Sequence, residues 1–301
     1  MSTNQHSIGS MLEYGENLFQ QSDIYFGHGT DNAWDEAVYL LSAALDLPPQ
    51  ADRSLLSRSL TSAEQQQIKA LFERRVKERV PAPYITHQAW FCSLPFYVDE
   101  RVIVPRSPIA ELIYNQFQPW CPVAPEKILD LCTGSGCIGI ACAYAFEQAD
   151  VVLSDISADA LSVAATNVNR HQVGDRVSTV QSDLFAAFGS ETQPSFDLIV
   201  CNPPYVDAQD MANMPDEYRH EPELALASGD DGLDFTRRLL REAPNYLSDQ
   251  GILIVEVGNS AQALEQAFPE VPFTWLEFSE GDDGVFLLTG AQLRQYAECL
   301  V

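Results

Sequence analysis

The run Glu126-Lys127-Ile128-Leu129-Asp130-Leu131 passes directly into Cys132-Thr133-Gly134-Ser135-Gly136-Cys137, and Ile138 to Phe146 continues as an apolar stretch of helical length. No other feature of the chain restricts its fold so tightly. A buried strand, a glycine turn and a helix in immediate succession are the first unit of a doubly wound α/β domain. Glycines at 134 and 136 let the backbone approach a ligand closely, since no Cβ stands in the way.

A GxG pair is weak evidence for any one ligand, and Gly134, Gly136 and Gly139 must be set against the dinucleotide fingerprint GxGxxG. The context decides between cofactors. Asp130 sits just before the turn, where a carboxylate would repel a pyrophosphate but can accept hydrogen bonds from a cationic, phosphate-free ligand. That points to S-adenosyl-L-methionine rather than a nicotinamide dinucleotide, with Cys132, Thr133, Gly134, Ser135 and Gly136 as the loop that faces it. The second strand, Asp150 to Ser154, ends in Asp155, which lies 19 residues after Gly136, near the spacing of about 20 expected for an acid on ribose hydroxyls; a cap for the helix from Ser157 to Asn169 is the competing role. The third strand, Val177 to Gln181, ends in Ser182-Asp183-Leu184-Phe185. Asp183 is placed to accept from an adenine amino group and Leu184 or Phe185 to pack on the ring, with capping of the next turn as the alternative.

The fourth strand, Phe196 to Cys201, is apolar and rich in β-branched residues, and it stops at Asn202-Pro203-Pro204-Tyr205. Two prolines cannot continue a ladder, because each lacks an amide hydrogen and fixes its own φ. Ligands bind at the carboxyl ends of strands in an open parallel sheet. The Asn202 side-chain oxygen and the Pro203 carbonyl are both acceptors and together can take both hydrogens of a planar NH2, on a glutamine amide or an adenine. Tyr205 offers a face on which that group could stack. A helix over Arg237 to Leu247 and a fifth strand over Gly251 to Gly258 follow. Phe273 to Phe278 and Val285 to Thr289 close the sheet as a pair, joined by a turn at Glu280-Gly281-Asp282-Asp283-Gly284.

Before this domain, residues 1–80 show neither strand alternation nor a glycine loop. Trp34, Ala37, Val38, Leu41 and Leu45 recur at helical spacing until Pro48-Pro49. Thr61-Ser62-Ala63-Glu64 reads as a capping box opening a helix through Ile68, Leu71, Phe72 and Val76. A small helical bundle results, structural or substrate-docking. His28 lies in a loop, as a contact or merely solvated. Arg74, Arg75, Lys77 and Arg79 form the one dense basic cluster, either a contact for nucleic acid or an acidic surface, or a solvated helix face. Residues 81–106 form an extended connector, with strands at Ala89 to Cys92 and Pro95 to Val98 and a third extended piece from Arg101 to Arg106. The catalytic domain spans 107–301. Between Val206 and Leu233 runs a long polar loop, expected to act as a lid that Arg219, His220 and Glu221 order.

The 43 acidic and 17 basic residues give a net charge of −26. That weighs against broad binding of a phosphate backbone and favours encounter with a basic partner, or serves solubility. Seven cysteines, none spaced as a zinc site, fit reduced thiols in a cytoplasmic protein, with no metal expected. No apolar run approaches the roughly 18 residues of a membrane span.

Taken in order, Pro105-Arg106, Asp130 to Gly136, Asp155, Asp183, Asn-Pro-Pro-Tyr and Arg219-His220-Glu221-Pro222 resemble the HemK/PrmC-related glutamine N5-methyltransferases over nearly the full length. The Asn-Pro-Pro-Tyr motif is shared with DNA adenine methyltransferases, which would be expected to carry a basic recognition region that is missing here. The resemblance implies a class I, Rossmann-like methyltransferase domain with a mostly parallel seven-stranded sheet, after a helical N-terminal domain. It makes Pro105 and Arg106 candidate walls of the site. Members modify peptide-chain release factors or the large-subunit ribosomal protein L-three. Gly29 to Ala37, Trp90-Phe91-Cys92, Val104 to Pro108, Leu131 to Cys137 and Glu217 to Leu224 are similar to the second branch. The implied catalytic residues are Asn202, Pro203, Pro204 and Tyr205, with no metal and no catalytic base.

Overall fold

The computed structural model describes residues 6–48, 52–189, 195–279, 281 and 284–300. The chain divides into two compact units, Met1–Ala89 with Pro215–His220, and Trp90–Met214 with Glu221–Val301. The six residues 215–220 thus leave the second unit, belong to the first, and return.

The first unit is helical: α1 (Ile8–Gln20), α2 (Ala33–Ala44), α3 (Ser62–Glu78) and α4 (Ala82–Thr86). Each of the first three starts at a polar cap, Ser7, Asn32 and Thr61, whose side chain accepts a backbone amide of the first turn. At Thr61 the reciprocal bond from Glu64 is present as well, completing the capping box read from the sequence. Met11, Phe19, Ala37, Leu40, Leu41, Ile68 and Phe72 form the interior. A Cβ at Gly15 would lie 2.5 Å from the Phe72 ring, so α1 closes on α3 at a residue without a side chain. Trp34, placed on the apolar face by spacing, is exposed; the buried stripe runs through Ala33, Ala37, Leu40 and Leu41 instead.

The basic cluster is not a cationic face. Arg75 is 1% exposed, and its guanidinium donates to Glu36 at 2.5 Å, Glu217 at 3.1 Å and the Tyr25 carbonyl at 2.6 Å. Arg79 pairs with Glu217 at 2.9 Å, while Arg74 and Lys77 pair with Glu78 and Glu73 one turn away. His28 is likewise buried rather than solvated, its ring 4.5 Å from that of Tyr218. The expected extended connector begins instead with α4, which Pro81 and Pro83 permit because a helix's first turn needs no amide donors.

A hairpin of β1 (Ala89–Phe91) and β2 (Leu94–Phe96) follows, with Cys92 and Ser93 at φ 48° and 60°. Both are left-handed, as a two-residue primed turn requires. Residues 101–106 form no strand. After α5 (Ile109–Tyr114) come β3 (Lys127–Leu131), α6 (Cys137–Ala145), β4 (Asp150–Asp155), α7 (Ala158–His171), β5 (Val177–Gln181) and β6 (Phe196–Cys201). Then follow α8 (Ala208–Asn213), α9 (Asp234–Glu242), β7 (Leu247–Glu256), α10 (Ala261–Ala267), β8 (Thr274–Trp275), β9 (Val285–Thr289) and α11 (Gly290–Gln295). The seven main strands are ordered β5-β4-β3-β6-β7-β9-β8. All neighbours from β5 to β7 are parallel, and β9 runs antiparallel to both β7 and β8.

Alternate residues of each strand face opposite sides, and both sides are covered. Ile128, Val151, Leu153, Leu198 and Val200 pack with α5, α6 and α7 residues. Leu129, Leu131, Ile199, Cys201 and Leu253 pack with Leu239 and Leu240 of α9, Leu264 of α10 and Leu293 of α11. Leu198, Ile199 and Val200 are each fully buried, and burial on this scale stabilises by about 1.5–3 kcal/mol per side chain. Gly139 on α6 allows this closeness, since a Cβ there would lie 2.2 Å from Leu153.

The strand order reverses between β3 and β6, which opens a crevice at the carboxyl ends of these two strands. The expected unstructured loop from Val206 to Leu233 is built from α8, short 3-10 turns at Asp216–His220 and Glu223–Ala225, and a bridge between Val206 and Ala227. The helix read as Arg237 to Leu247 is α9, ended earlier by Pro244. Of the closing turn, Glu280, Asp282 and Asp283 lie outside the described residues, as does Pro49 of the Pro48-Pro49 stop.

Candidate active site

The cleft at the strand ends is lined by Leu131, Cys132 and Gly134 where β3 ends, Ser154 to Ser157 where β4 ends, Ser182 to Leu184 after β5, and Asn202 and Pro204 after β6. Arg101 to Ile103, Pro222, Leu224, Ala225, Phe235 and Arg238 complete its walls. Cys132, Gly134, Asp155, Asp183, Leu184, Asn202 and Pro204 of the expected site residues are therefore brought together. Asp130, Thr133, Ser135, Gly136, Pro203 and Tyr205 are not in the wall.

Asp130 has a different task from the one expected of it. It is 1% exposed, and one carboxylate oxygen accepts from the Thr133 hydroxyl at 2.6 Å and the Gly139 amide at 2.8 Å. The carboxylate therefore ties the glycine turn to the start of α6 from beneath. Burial pushes its pKa up to about 7, against the lowering effect of these two donors. Above it, Cys132 (φ 56°), Gly134 (φ 54°) and Gly136 (φ 83°) are all left-handed. A Cβ at Gly134 would meet nothing within 4 Å, so bare backbone faces open space there, whereas one at Gly136 would lie 3.1 Å from Leu153. Gly134 thus bares backbone to the cleft and Gly136 serves packing.

Asp155 accepts from the Gly134 amide at 3.0 Å and the Ser157 amide at 2.9 Å. The capping role weighed for it belongs to Ser157, whose hydroxyl accepts from Ala160 at the start of α7. Burial raises the Asp155 carboxyl above the ordinary range. Asp183 is half-exposed and paired with Arg238 at 3.0 Å. Leu184, at φ 48°, turns into the cleft. Phe185 turns away and stacks on Tyr246 with centroids 4.3 Å apart, which removes it as a ring-packing candidate.

Asn202 follows Cys201, the last residue of β6, where the ladder with β3 and β7 ends. The turn after it is fixed from several sides. The Tyr205 hydroxyl donates to Glu256 at 3.0 Å, and Glu256 accepts from Ser107 at 2.5 Å through its other oxygen. Ser260 donates to the Tyr205 carbonyl at 2.8 Å. Gly258 lies against the Tyr205 ring, 2.7 Å from where its Cβ would stand. Tyr205 is therefore held as a strut for the turn. Sequence reading missed Glu256, Ser260 and Gly258; the available signal was an acid ending an apolar strand, as Asp155 ends β4.

Arg106 and Glu221 act on the walls through what they hold. The Arg106 guanidinium makes two bonds of 2.6 Å to the two oxygens of Glu221, and the Val104 amide donates to Glu221 at 2.9 Å. Neither Pro105 nor Arg106 lines the cleft; Arg101 to Ile103, just before them, do. Of the three residues expected to order the loop, Glu221 makes this clamp. Arg219 is exposed beside Asp216, and His220 contacts the Glu78 carbonyl at 3.0 Å.

Two curated relatives align with nearly the whole chain. Ribosomal protein uL3 glutamine methyltransferase of Francisella tularensis subsp. tularensis is 48% identical over 98% of this chain and 94% of its own length. The protein of the same name from Neisseria gonorrhoeae is 47% identical over 95% of each chain. The chain belongs to the ribosomal protein uL3 glutamine methyltransferase family. Two domain families lie within this uL3 methyltransferase frame, the PrmC N-terminal domain at residues 11–86 and the methyltransferase small domain at 110–217. Among solved structures, the hMettl16 catalytic domain in complex with MAT2A 3'UTR hairpin 1 superposes with a TM-score of 0.50, at 19% identity, over 84% of this chain and 89% of that one. At that identity the likeness concerns the fold alone, and the fold is that of class I methyltransferases.

Proposed function

We propose that this protein is an enzyme that moves a methyl group from S-adenosyl-L-methionine to the side-chain amide nitrogen, N5, of a glutamine in ribosomal protein uL3. One observation carries the reading at the level of the site. Asn202, the group suited to hold a planar amide, lines the same cleft as the glycine turn and Asp155. The names of the two relatives supply the acceptor, and a surface of net charge −26 suits a basic ribosomal protein.

The cleft suits the cofactor. Gly134 presents backbone with no Cβ in the way, and Asp155 sits in the wall as an acceptor for hydroxyls. Asp183 and Leu184 are the groups for the adenine. When bound, S-adenosyl-L-methionine supplies a methyl on a cationic sulfur, electrophilic enough for a weak nucleophile. An amide nitrogen is such a nucleophile, because its lone pair is delocalised into the carbonyl. The Asn202 side-chain oxygen and the Pro203 carbonyl accept both amide hydrogens, which fixes the nitrogen and stabilises the positive charge it acquires. Pro203 and Pro204 keep the two acceptors in one rigid turn, so orientation is set before substrate arrives. Tyr205, through Glu256 and Ser260, holds that turn in place. The proton leaves to water after the bond has formed, and no residue need act as base.

The test uses labelled S-adenosyl-L-methionine with three acceptors: unmodified uL3, a peptide-chain release factor and DNA. Label on a glutamine of uL3 is expected, with turnover reduced about 10²–10³-fold in Asn202→Ala, the scale for losing one preorganised polar contact to developing charge. Label on the release factor moves the protein to the sister specificity. Label on DNA alone removes the protein substrate from the reading, for which no specific DNA binding is proposed. All seven cysteines are free thiols, and among the described residues no helix is long and apolar enough to cross a membrane. A cytoplasmic location is proposed on that basis.

A further inference from the structure

Ser154 precedes Asp155 at the end of β4, in register with Leu131 on one side and Val180 on the other. Its carbonyl is used there, accepting from the Thr133 amide at 3.0 Å. Its side chain is not. Ser154 is 1% exposed and lines the cleft, yet its hydroxyl has no hydrogen-bond partner among the described residues. A buried polar group left unpaired costs free energy, and native structures rarely keep one without a use for it. An alanine would fill the same strand position at no such cost.

The neighbouring groups sharpen the point. Ser182, the other buried serine of the wall, has its hydroxyl on the Ala187 amide at 3.0 Å. The carboxylate of Asp130 is taken by Thr133 and Gly139, and that of Asp155 by Gly134 and Ser157. Ser154 alone of these has a side chain with no hydrogen-bond partner among the described residues. The next wall residues along the chain are the Asp155 carboxylate and the Ile156 side chain, which is 49% exposed. A carboxylate and an open apolar face side by side suit a ribose and a flat base. Serine changes χ1 well at small cost, so the hydroxyl can turn to a ligand atom that arrives there.

We infer that the Ser154 hydroxyl hydrogen-bonds the nucleoside part of the ligand held in this cleft. The inference rests on the reading of the cleft as an adenosyl site. It adds a binding residue beyond the glycine turn, Asp155 and Asp183.

Ser154→Ala tests it through two readouts of opposite sign. Thermal unfolding without ligand reports what the hydroxyl costs the empty protein. Calorimetric titration with S-adenosylhomocysteine and with methylthioadenosine, which lacks the amino-acid tail, reports what it gives the ligand. The variant is expected to be as stable as the parent or more so, while both affinities fall about threefold to tenfold, the scale of one hydrogen bond. Unchanged affinities would overturn the inference and leave the hydroxyl to a buried water. A loss confined to S-adenosylhomocysteine would overturn the nucleoside assignment, because the contact would then be with the tail. A clear drop in ligand-free stability would also overturn it, by showing a partner within the protein. If the unsubstituted protein binds neither compound, the adenosyl reading itself fails, and that result is visible before any variant is made.

Discussion

Arg106→Ala is expected to destabilise the second unit by about 3 kcal/mol. The Glu221 side chain is fully buried, and its two oxygens receive both Arg106 nitrogens at 2.6 Å as well as the Val104 amide. Removing one partner of a buried pair costs about 3–5 kcal/mol, because the remaining charge is left uncompensated. Here the Arg106 side chain is 29% exposed, so water can enter the space it vacates, and the lower end of that range applies. For a unit of this size about 3 kcal/mol corresponds to a fall in melting temperature of about 6–12 °C. The double variant Arg106→Met/Glu221→Leu removes both charges and is expected to recover most of the loss, since apolar replacement of a buried pair is often close to neutral. Thermal and urea unfolding of the parent, both single variants and the double variant complete the cycle. The wall segments on either side of the clamp, 101–103 and 222–225, give a second readout, and affinity for S-adenosylhomocysteine should fall with Arg106→Ala. The reasoning is refuted if Arg106→Ala costs under about 1 kcal/mol, or if the double variant loses the sum of the two single losses.

Two further substitutions probe the supports of the site. In Gly232→Ala the new Cβ would lie 2.0 Å from the Ser260 hydroxyl and 2.2 Å from the Tyr205 carbonyl, at φ 75°. Strain and overpacking together should cost about 2–4 kcal/mol, and loss of turnover should exceed loss of cofactor affinity, as steady-state kinetics beside titration would show. Asp130→Asn should flatten the dependence of stability on pH. The folded carboxyl, raised to about 7 from 3.8, keeps a proton that the unfolded chain releases, so its contribution is complete below about pH 4 and is lost as pH rises through 7. Parent stability measured from pH 5 to 8 should fall relative to the variant; parallel curves would disprove the assignment.

Period and punctuation make the second unit legible in the sequence. An apolar run ending in glycines at 134 and 136, another ending in two prolines, and acids at 155 and 183 each mark a strand end, because backbone chemistry allows little else there. What could not be read was how side chains are spent. Arg75 and Arg79 look like a solvated basic stripe in sequence, and only Glu36 and Glu217, the latter 142 residues from Arg75, turn them inward. Asp130 looks like a ligand acceptor because it precedes the turn, but the residue's direction depends on the pleat, which aims it under the loop. Tyr205 looks like a stacking platform, and its role as a strut needed Glu256, 51 residues away. Local signals therefore marked the strand ends that line the cleft, and long-range pairing decided which residues there face it.

The same pairing accounts for the tolerance of so many carboxylates at one edge of the sheet. Asp130, Asp155, Asp183 and Glu256 all stand at or just beyond strand ends, and four unshielded charges there would repel one another. Each is bound differently. Asp130 and Asp155 hold backbone amides, and burial raises both above the ordinary carboxylate range. Asp183 is neutralised by Arg238 and Glu256 is bonded to two hydroxyls. The edge therefore presents oriented acceptors with much less net charge than four carboxylates imply. A cationic sulfonium ligand needs little more than that. On the proposed adenosyl reading, these acceptors would meet its hydroxyls and base, and the negative charge that remains would favour the cationic sulfur over the neutral product.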